Sequence, residues 1–287
     1  MRLIFISASL LLPLLLSAQK KEKFKLPNLL NEVSGMVYHT ADSVWYLNDG
    51  GHPAALYLTD EKGNLREIVP VPAAVNRDWE DMTRDKSGNF YIGDFGNNRN
   101  KRQDLTIYIF NPRYSNLDSI TFFFPDQYAF PPAFAERNFD TEALFWHRGY
   151  LHLFSKSTLG NGNYITRHYR LRARPGPQTA ELRSEKLLPK RVVTAAAVSS
   201  DGSTVALLSY RFKLILGIFP FTRTSVFTFR DFTDDDFLSG DLSQTKVRKC
   251  IFPTQYESLD FCGNNRVIIA SERTAFITPR GKKVKLK

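Results

Sequence analysis

One short motif recurs along this chain, and its repetition constrains the fold more than any other feature. Each copy begins with a polar residue, continues as a short apolar strand, and leads through a tight turn into a second apolar strand. The copies begin at Ser34, Glu80, Glu142, Thr194 and Glu257. The second strand ends 14 to 16 residues after each start, the length of two strands joined by a short turn.

The spacing between successive copies is 46 to 63 residues, which fits a four-stranded propeller blade with variable outer loops. Short β-branched and aromatic segments between Gly and Asn turns favour an all-β chain, and no long amphipathic helix is evident. The sequence therefore predicts an all-β, five-bladed β-propeller, with six blades as the runner-up. An irregular β-sandwich with recurring hairpins is the alternative architecture.

The outer strands follow from the same reading in most units. In the fourth unit we expect strands at 225–229 and 245–252, and in the fifth a third strand at 275–278. A closed ring needs a last strand, because an open first or last sheet exposes unpaired backbone groups. Residues 23–26 and the C-terminal 283–286 compete for that place.

The N-terminus predicts export. Arg2 precedes an apolar run from Leu3 to Leu16, and Ser17-Ala18 forms a small-residue cleavage site. We expect a signal peptide at 1–18, one propeller domain at 19–287, and a secreted or periplasmic protein; a retained N-terminal anchor is the alternative. Because the run is shorter than a membrane span and no second one follows, we expect no stable membrane insertion.

The formal net charge is +10, but lysines and arginines are scattered over turns and strand edges. This distribution, without a nucleic-acid motif, favours solvated strand faces, so we expect no nucleic-acid partner. Cys250 falls on the outer strand of one unit and Cys262 on the inner strand of the next. That separation predicts two buried thiols and no disulfide. We expect a monomer that binds a small-molecule or polymeric ligand.

In a propeller the repeat starts would ring one mouth of the central channel, and side chains two residues earlier would point the same way. Antiparallel pairing returns the ends of the second strands to that face. The predicted ligand-binding residues of the mouth are Glu32, Asp49, Asp78, Glu142, Lys156, Tyr210, Glu257 and Glu272. A basic protein would thus carry an acidic mouth.

Crowded carboxylates either gain protons or demand a cation, and calcium takes oxygen ligands of this kind. Acids cluster most at Glu80, Asp81 and Asp94, and the loop after Asp94 offers Asn97. We therefore predict a calcium site formed by Glu80, Asp81, Asp94 and Asn97. The alternative is that these carboxylates cap backbone N–H groups of neighbouring blades and hold no ligand.

Three functions remain open at this point. The first is a binding propeller with a cation at its mouth. The second is a calcium-dependent hydrolase of an ester, lactone or phosphoester, with Lys156 or Tyr210 stabilising negative charge and Glu257 as base. The third is an interaction module without metal. No nucleophile elbow or phosphate-binding glycine loop points to another chemistry.

The repeat starts also carry a family resemblance. The segments Glu32-Val33-Ser34-Gly35, Asp78-Trp79-Glu80-Asp81, Glu142-Ala143-Leu144 and Glu257-Ser258-Leu259 resemble the SdiA-regulated family of bacterial β-propellers. The fourth repeat departs from that pattern with Val193-Thr194-Ala195. More distantly, the motifs resemble phytase-like esterase and gluconolactonase-type propellers. The resemblance implies an extracytoplasmic propeller, and it implies no particular activity.

Overall fold

The computed structural model describes residues 23–215, 219–247, 254–274 and 277–287. In chain order the strands of the first half are β1 (Lys23–Lys25), β2 (Val33–Thr40), β3 (Ser43–Asn48), β4 (Ala55–Thr59), β5 (Leu65–Pro70), β6 (Trp79–Arg84), β7 (Phe90–Asp94), β8 (Leu105–Asn111), β9 (Asn116–Phe123), β10 (Asp140–His147) and β11 (Tyr150–Lys156). Those of the second half are β12 (Ile165–Arg172), β13 (Gly176–Thr179), β14 (Glu181–Leu187), β15 (Val192–Val198), β16 (Val205–Ile215), β17 (Phe219–Arg230), β18 (Asp241–Lys246), β19 (Tyr256–Phe261), β20 (Arg266–Ser271) and β21 (Arg280–Lys285).

The described strands form five sheets, and each sheet is one blade of a β-propeller. The innermost strands are β2, β6, β10, β15 and β19, and each packs against the next around a closed ring. Two single 3₁₀ turns, Phe134–Glu136 and Phe237–Ser239, lie in the connections. The predicted five-bladed propeller is confirmed, and the six-bladed and sandwich alternatives are wrong.

The core lies between the blades. Five clusters of buried apolar residues each combine side chains from two adjacent blades, as Trp79 does when it packs with Val37 and Leu47. Trp79 is fully buried, and its indole N–H donates to Val75 O at 3.2 Å. Because each blade buries both of its faces, the ring holds the inner strands at fixed positions around the axis.

The ring closes with both chain ends, which the sequence had placed in competition. Strand β21 is the third strand of the last blade, and β1 pairs with β21 as the outermost strand. Phe24 lies directly over Gly281, where a Cβ would overlap its ring. The third strand of this blade is the basic segment Arg280–Lys285, with Gly281 and Val284 buried, and not the expected 275–278, of which 275 and 276 lie outside the described residues.

Two other outer strands differ from expectation. The outer strand of the fourth blade is Asp241–Lys246 and not the expected 245–252, of which 248–252 lie outside the described residues. Strand β13 adds a fifth, parallel strand to the second blade by pairing with β9. Cys262 is free and half-buried, whereas Cys250 and the predicted signal peptide lie outside the described residues.

Candidate functional site

Every inner strand carries a β-bulge at the repeat start. The register between the first two strands of each blade slips by one residue at Ser34, Glu80, Glu142, Thr194 and Glu257. A bulge leaves the extra residue outside the ladder and re-aims its side chain. The recurring motif is thus a recurring bulge, and it presents one side chain per blade at the channel mouth.

The five bulged residues divide into two kinds. Ser34 Oγ donates to Trp79 O at 3.0 Å and Thr194 Oγ1 donates to Tyr256 O at 3.1 Å, so both hydroxyls tie their blade to the next one. Among the described residues, none of the three glutamates makes such a tie to a backbone carbonyl. The chemistry of the mouth therefore comes from the glutamates.

Two groups of carboxylates meet at Glu80. The first joins Asp49, Asp78 and Glu80, and the second joins Glu80, Asp140 and Glu142; in each group one oxygen per residue lies within 4.8 Å of the others. Asp49 comes from the turn after β3 and Asp78 from the residue before β6, so three different blades supply the two groups. We call these five carboxylates the acidic mouth.

Gly96 makes the close approach possible. A Cβ at this position would overlap Glu80 Oε1 and would lie 2.5 Å from Asp78 Oδ2. The Gly96 N–H donates to Asp78 O at 3.1 Å, which fixes the backbone beneath the two side chains. The loop after β7 thus packs directly against both carboxylates. We call the backbone of this loop at Gly96 the floor of the acidic mouth.

Glu80 is the unusual member of the acidic mouth. It is 7% exposed, yet its carboxylate accepts no hydrogen bond from any residue that the structure describes. Burial, followed by the nearby charges of Glu142, Asp49 and Asp140, raises its pKa well above the ordinary value. A carboxylate of such low exposure normally has hydrogen-bond partners, and Glu80 instead gains from a proton or a nearby positive charge.

The other carboxylates are also hard to ionise together. Burial and then the charges of Asp49 and Asp140 raise the pKa of Asp78 to about 6. Burial raises the pKa of Asp140, although Asn97 N–H donates to its Oδ1 at 2.7 Å. The acidic mouth therefore gains stability from either protons or a cation.

A lysine and a tyrosine stand beside this cluster. Lys156 Nζ forms an ion pair with Glu142 Oε1 and is 12% exposed. Burial acts to lower the pKa of Lys156, but Glu142 above all, with Tyr210 and Asp140, raises it well above the ordinary value, so the amine stays charged. Burial raises the pKa of Tyr210 to about 12, so its hydroxyl remains a proton donor.

A second set of acids lines the opposite side of the mouth. Gln255 Nε2 donates to Glu272 at 2.6 Å and to Glu257 at 3.2 Å. Burial, followed by the charges of Glu257 and Glu32, raises the pKa of Glu272 to about 8. Glu32 lies at the exposed rim, where it pairs with His52 Nε2 at 2.9 Å.

The four residues predicted as calcium ligands do not form one site in the structure. Glu80 belongs to both carboxylate groups, but Asp81 accepts the N–H groups of Met82 at 2.8 Å and Leu144 at 2.9 Å. Asp81 therefore ties the second blade to the third, as the alternative reading of these acids proposed. Consecutive residues of a strand point to opposite faces, which explains why the side chains of Glu80 and Asp81 have different surroundings.

Asp94 and Asn97 serve the loop beneath the acidic mouth. Asp94 forms an ion pair with Arg102 Nη1 at 3.0 Å and also accepts Asp78 N–H at 3.1 Å. Asn97 Oδ1 accepts the N–H groups of Lys101 at 2.8 Å and Arg102 at 2.9 Å. Neither residue belongs to the two carboxylate groups. They position the floor on which Glu80 and Asp78 rest.

Asp140 occupies a position that the alternation rule predicts to point into the mouth, but it was not among the predicted calcium ligands, and neither Arg102 nor the floor at Gly96 was predicted. Strand alternation was the signal for Asp140, since it stands two residues before Glu142. Gly96 had a weaker signal, a glycine between Phe95 and Asn97 in a loop that leaves a buried strand. Nothing in the sequence pairs Arg102 with Asp94.

The donor set of the acidic mouth is all oxygen. Carboxylates from three blades suit a hard divalent cation, whereas zinc and copper sites use imidazole or thiolate ligands. Within the described chain no histidine or cysteine joins either carboxylate group. The residues present could therefore hold a hard metal ion, with Glu80 able to belong to either group.

Comparison with solved structures places the chain among β-propellers. A mannose phosphorylase from Leishmania mexicana, solved with a phosphate ion, aligns with a TM-score of 0.50 and 11% identity over 91% of this chain and 84% of that one. A GH43 β-1,3-galactosidase aligns with a TM-score of 0.49 and 11% identity, over 88% of this chain and 56% of that one. At such identities the likeness establishes the fold alone.

An α-L-arabinanase from Penicillium chrysogenum, solved with arabinobiose, aligns with a TM-score of 0.44 and 8% identity, over 91% of this chain and 96% of that one. No family model matches the chain, and no curated protein matches it in sequence. Among the described residues no helix is long and apolar enough to cross a membrane.

Proposed function

We propose that this protein is an exported β-propeller that holds a divalent cation, calcium by its chemistry, at the acidic mouth and binds a ligand there. The observation that carries the proposal is Glu80: a buried carboxylate without a hydrogen-bond donor in the described chain, shared by two carboxylate groups and seated over Gly96. A cation supplies the positive charge that this arrangement lacks.

Charge balance supports a cation over protons alone. Five carboxylates face one ammonium group, that of Lys156, and this lysine is already paired with Glu142. Calcium accepts six to eight oxygens at about 2.3–2.6 Å in flexible geometry, so carboxylates from different blades can serve it without an ideal octahedron. Magnesium demands stricter geometry and dehydrates reluctantly, so we expect weaker magnesium binding.

The ligand that fits this mouth carries several hydroxyl groups. Hydroxyls can donate to the carboxylates of Asp49 and Asp78 at the half-buried edge of the site, and their oxygens can ligate a cation. An anionic ligand meets a surplus of negative charge here. We therefore propose a neutral, polyhydroxylated ligand, small or polymeric.

Export is part of the proposal and rests on the N-terminal sequence, an apolar run followed by a small-residue cleavage site. A secreted or periplasmic location would supply calcium at concentrations that open, flexible sites require. Membership of the SdiA-regulated propellers is the family assignment that the repeat starts favour.

Calcium titration of the purified protein tests the proposal. We expect calcium to bind in calorimetry and to raise the melting temperature, and we expect Glu80→Gln to abolish both effects. Glu67→Gln, which removes an exposed acid on an outer strand, is the matched control and should behave as the parent protein. Equal calcium stabilisation of the parent and Glu80→Gln proteins would contradict the site.

A hydrolase at the same place is the second candidate, and the pairing of Lys156 with Glu142 beside Tyr210 is what favours it. Glu257, whose pKa burial raises, would take a proton from water as that water attacks an ester, lactone or phosphoester. Lys156 and Tyr210 would donate hydrogen bonds to the negative charge that develops.

A panel of aryl esters, lactones and phosphoesters separates the two candidates. A hydrolase should turn over at least one substrate, lose that activity with a chelator, and lose most of it in Tyr210→Phe while calcium binding persists. If calcium binds and no substrate of the panel is turned over, the hydrolase proposal is contradicted and the binding proposal is retained.

A further inference from the structure

The channel has a second opening at the other end of the same inner strands. A cavity of about 330 Å³ lies there, and all five inner strands contribute to its lining, which places it on the propeller axis. It begins beyond Met36, Met82 and Leu144, several residues along each strand from the acidic mouth. We call this opening the far mouth. Its volume lies at the small end of the range for ligand sites, about 300–1,000 Å³.

The carboxylates of the far mouth are already occupied. Asp85 accepts the N–H groups of Ser87 at 2.8 Å and Asn89 at 2.9 Å, while Asp260 accepts those of Tyr38 and Phe261, each at 2.7 Å. Burial raises the pKa of Asp260 to about 7, so near neutral pH it carries only part of a negative charge. Neither acid offers its carboxylate to a cationic ligand.

The cations of the far mouth are available, in contrast. Arg84 is half-buried and forms no ion pair with any described residue, and its Nε–H is buried without a hydrogen-bond acceptor. Its guanidinium stands 5.5 Å from the centre of the Phe90 ring, which orients the planar group. Lys86 and His39 line the exposed rim, and no ion pair to either is found in the described chain.

Aromatic walls complete the cavity. Trp146 and Tyr38 are both half-buried and both line it, and Met36 and Leu144 contribute apolar surface deeper in the channel. An unpaired guanidinium recognises carboxylate or phosphate groups with two parallel hydrogen bonds, and an indole packs against a planar apolar body. The far mouth therefore combines one anion-recognising group with a flat apolar wall.

We propose that the far mouth is a second ligand site, which binds a small organic anion with Arg84 on its carboxylate or phosphate group and Trp146 against its planar ring. This inference uses none of the residues of the acidic mouth and stands independently of calcium. A cationic ligand finds no free carboxylate there, and a neutral one leaves the charge of the Arg84 guanidinium without a counter-ion.

Titration with simple probes tests this site. The probes are benzoate and phenyl phosphate, with benzyl alcohol as the neutral analogue and inorganic phosphate as the anion without a ring. Binding is followed by calorimetry and by tryptophan fluorescence, to which Trp146 should respond. We expect at least one of the two aromatic anions to bind at least about tenfold more tightly than benzyl alcohol and inorganic phosphate, since hydrogen bonds to charged groups contribute about 1.5–3 kcal/mol.

The variants assign that binding to Arg84. Arg84→Gln should lower the affinity for the anion at least about tenfold. Arg113→Gln, which removes the same charge from an exposed turn, should have the affinity of the parent protein. Arg84→Lys keeps the charge and loses the planar fork, so it should be intermediate and provides the test if Arg84→Gln fails to fold. Trp146→Phe should abolish the fluorescence response.

Benzoate supports a carboxylate ligand and phenyl phosphate a phosphate ligand, according to which binds more tightly. Three results would overturn the proposal. These are equal affinity for benzyl alcohol and the anions, unchanged affinity in Arg84→Gln or Arg84→Lys, and no binding of any probe at millimolar concentration.

Discussion

The two ends of the inner strands use the same residue type in opposite ways. At the acidic mouth the side-chain carboxylates of Glu80 and Asp78 accept no hydrogen bond in the described chain, and bulges aim the glutamates at the axis. Further along the same strands Asp81 and Asp260 accept backbone N–H groups from a neighbouring blade. A carboxylate is structural where it meets the free edge of the next blade, and it is left for a ligand where a bulge turns it away from that edge.

The largest expected effect comes from filling the floor of the acidic mouth. In Gly96→Ala the new Cβ overlaps Glu80 Oε1, so the two carboxylates must separate. We expect calcium affinity to fall by about 10–100-fold, the usual effect of misplacing ligand groups. Calorimetric titration measures this. Gly149→Ala, in the turn between β10 and β11, adds a Cβ that meets no atom within 4 Å but strains a backbone of positive φ, so it controls for a general loss of stability; the same loss of calcium affinity in both variants would refute the floor.

Removing a structural carboxylate should destabilise the ring. Asp81→Ala leaves the buried N–H groups of Met82 and Leu144 without acceptors, and we expect a loss of about 2–4 kcal/mol in the free energy of unfolding. Chemical denaturation measures it. Asp78→Asn, at the acidic mouth, should instead stabilise the calcium-free protein slightly, because it removes charge repulsion. If both variants changed the free energy of unfolding with the same sign and size, the proposed difference between the two ends would be wrong.

The smallest expected effect is a slope of stability with pH in calcium-free protein. The pKa of Asp78 rises to about 6 and that of Glu272 to about 8 on folding, so between about pH 4 and 8 the folded state binds more protons than the unfolded state. The contribution of these two groups to the free energy of unfolding is therefore fully present below about pH 4, and it is lost as the pH rises toward 8. We expect a loss of about 1–2 kcal/mol from pH 5 to 8 after solvent screening.

Glu272→Gln isolates this slope. The variant should flatten the decline between pH 5 and 8, and saturating calcium should offset it in the parent protein. The buried pair His152 and His168 has the opposite sign: burial lowers both pKa values, that of His152 to about 3, so their contribution is lost as the pH falls below about 6.5. An unchanged slope above pH 6.5 in Glu272→Gln would contradict the assignment of this decline to Glu272.

The fold followed from the sequence because the repeat records a local event. Bulge, strand and turn recur within 14 to 16 residues, and no distant partner is needed to recognise them. The last blade could not be foreseen in the same way. The segment Arg280–Lys285 reads as a basic tail, and its place as a strand depends on pairing with β20 and with β1, whose Phe24 lies far away in the sequence. Strand β13, which contains Gly176 and Pro177, has low strand propensity and gave no signal.

The sequence predicted where the candidate site lies better than it predicted which residues belong to it. Alternation located Glu80, Glu142 and Asp78 at one mouth, as the structure shows. Asp81 and Asp94 are acids of the same region, but their partners, the N–H of Leu144 and the guanidinium of Arg102, come from a different blade and from a loop. Such partners depend on tertiary packing and therefore leave no local pattern.

The pairing of β1 with β21 has a consequence for biosynthesis. Strand β1 finds its partner only after synthesis has passed Lys282, because Lys23 lies opposite Lys282. Until then the nascent chain presents an open sheet edge at each end, the kind of surface that templates aggregation. Closure is therefore a late, long-range step, and a translation product truncated before Gly281 cannot complete the circle.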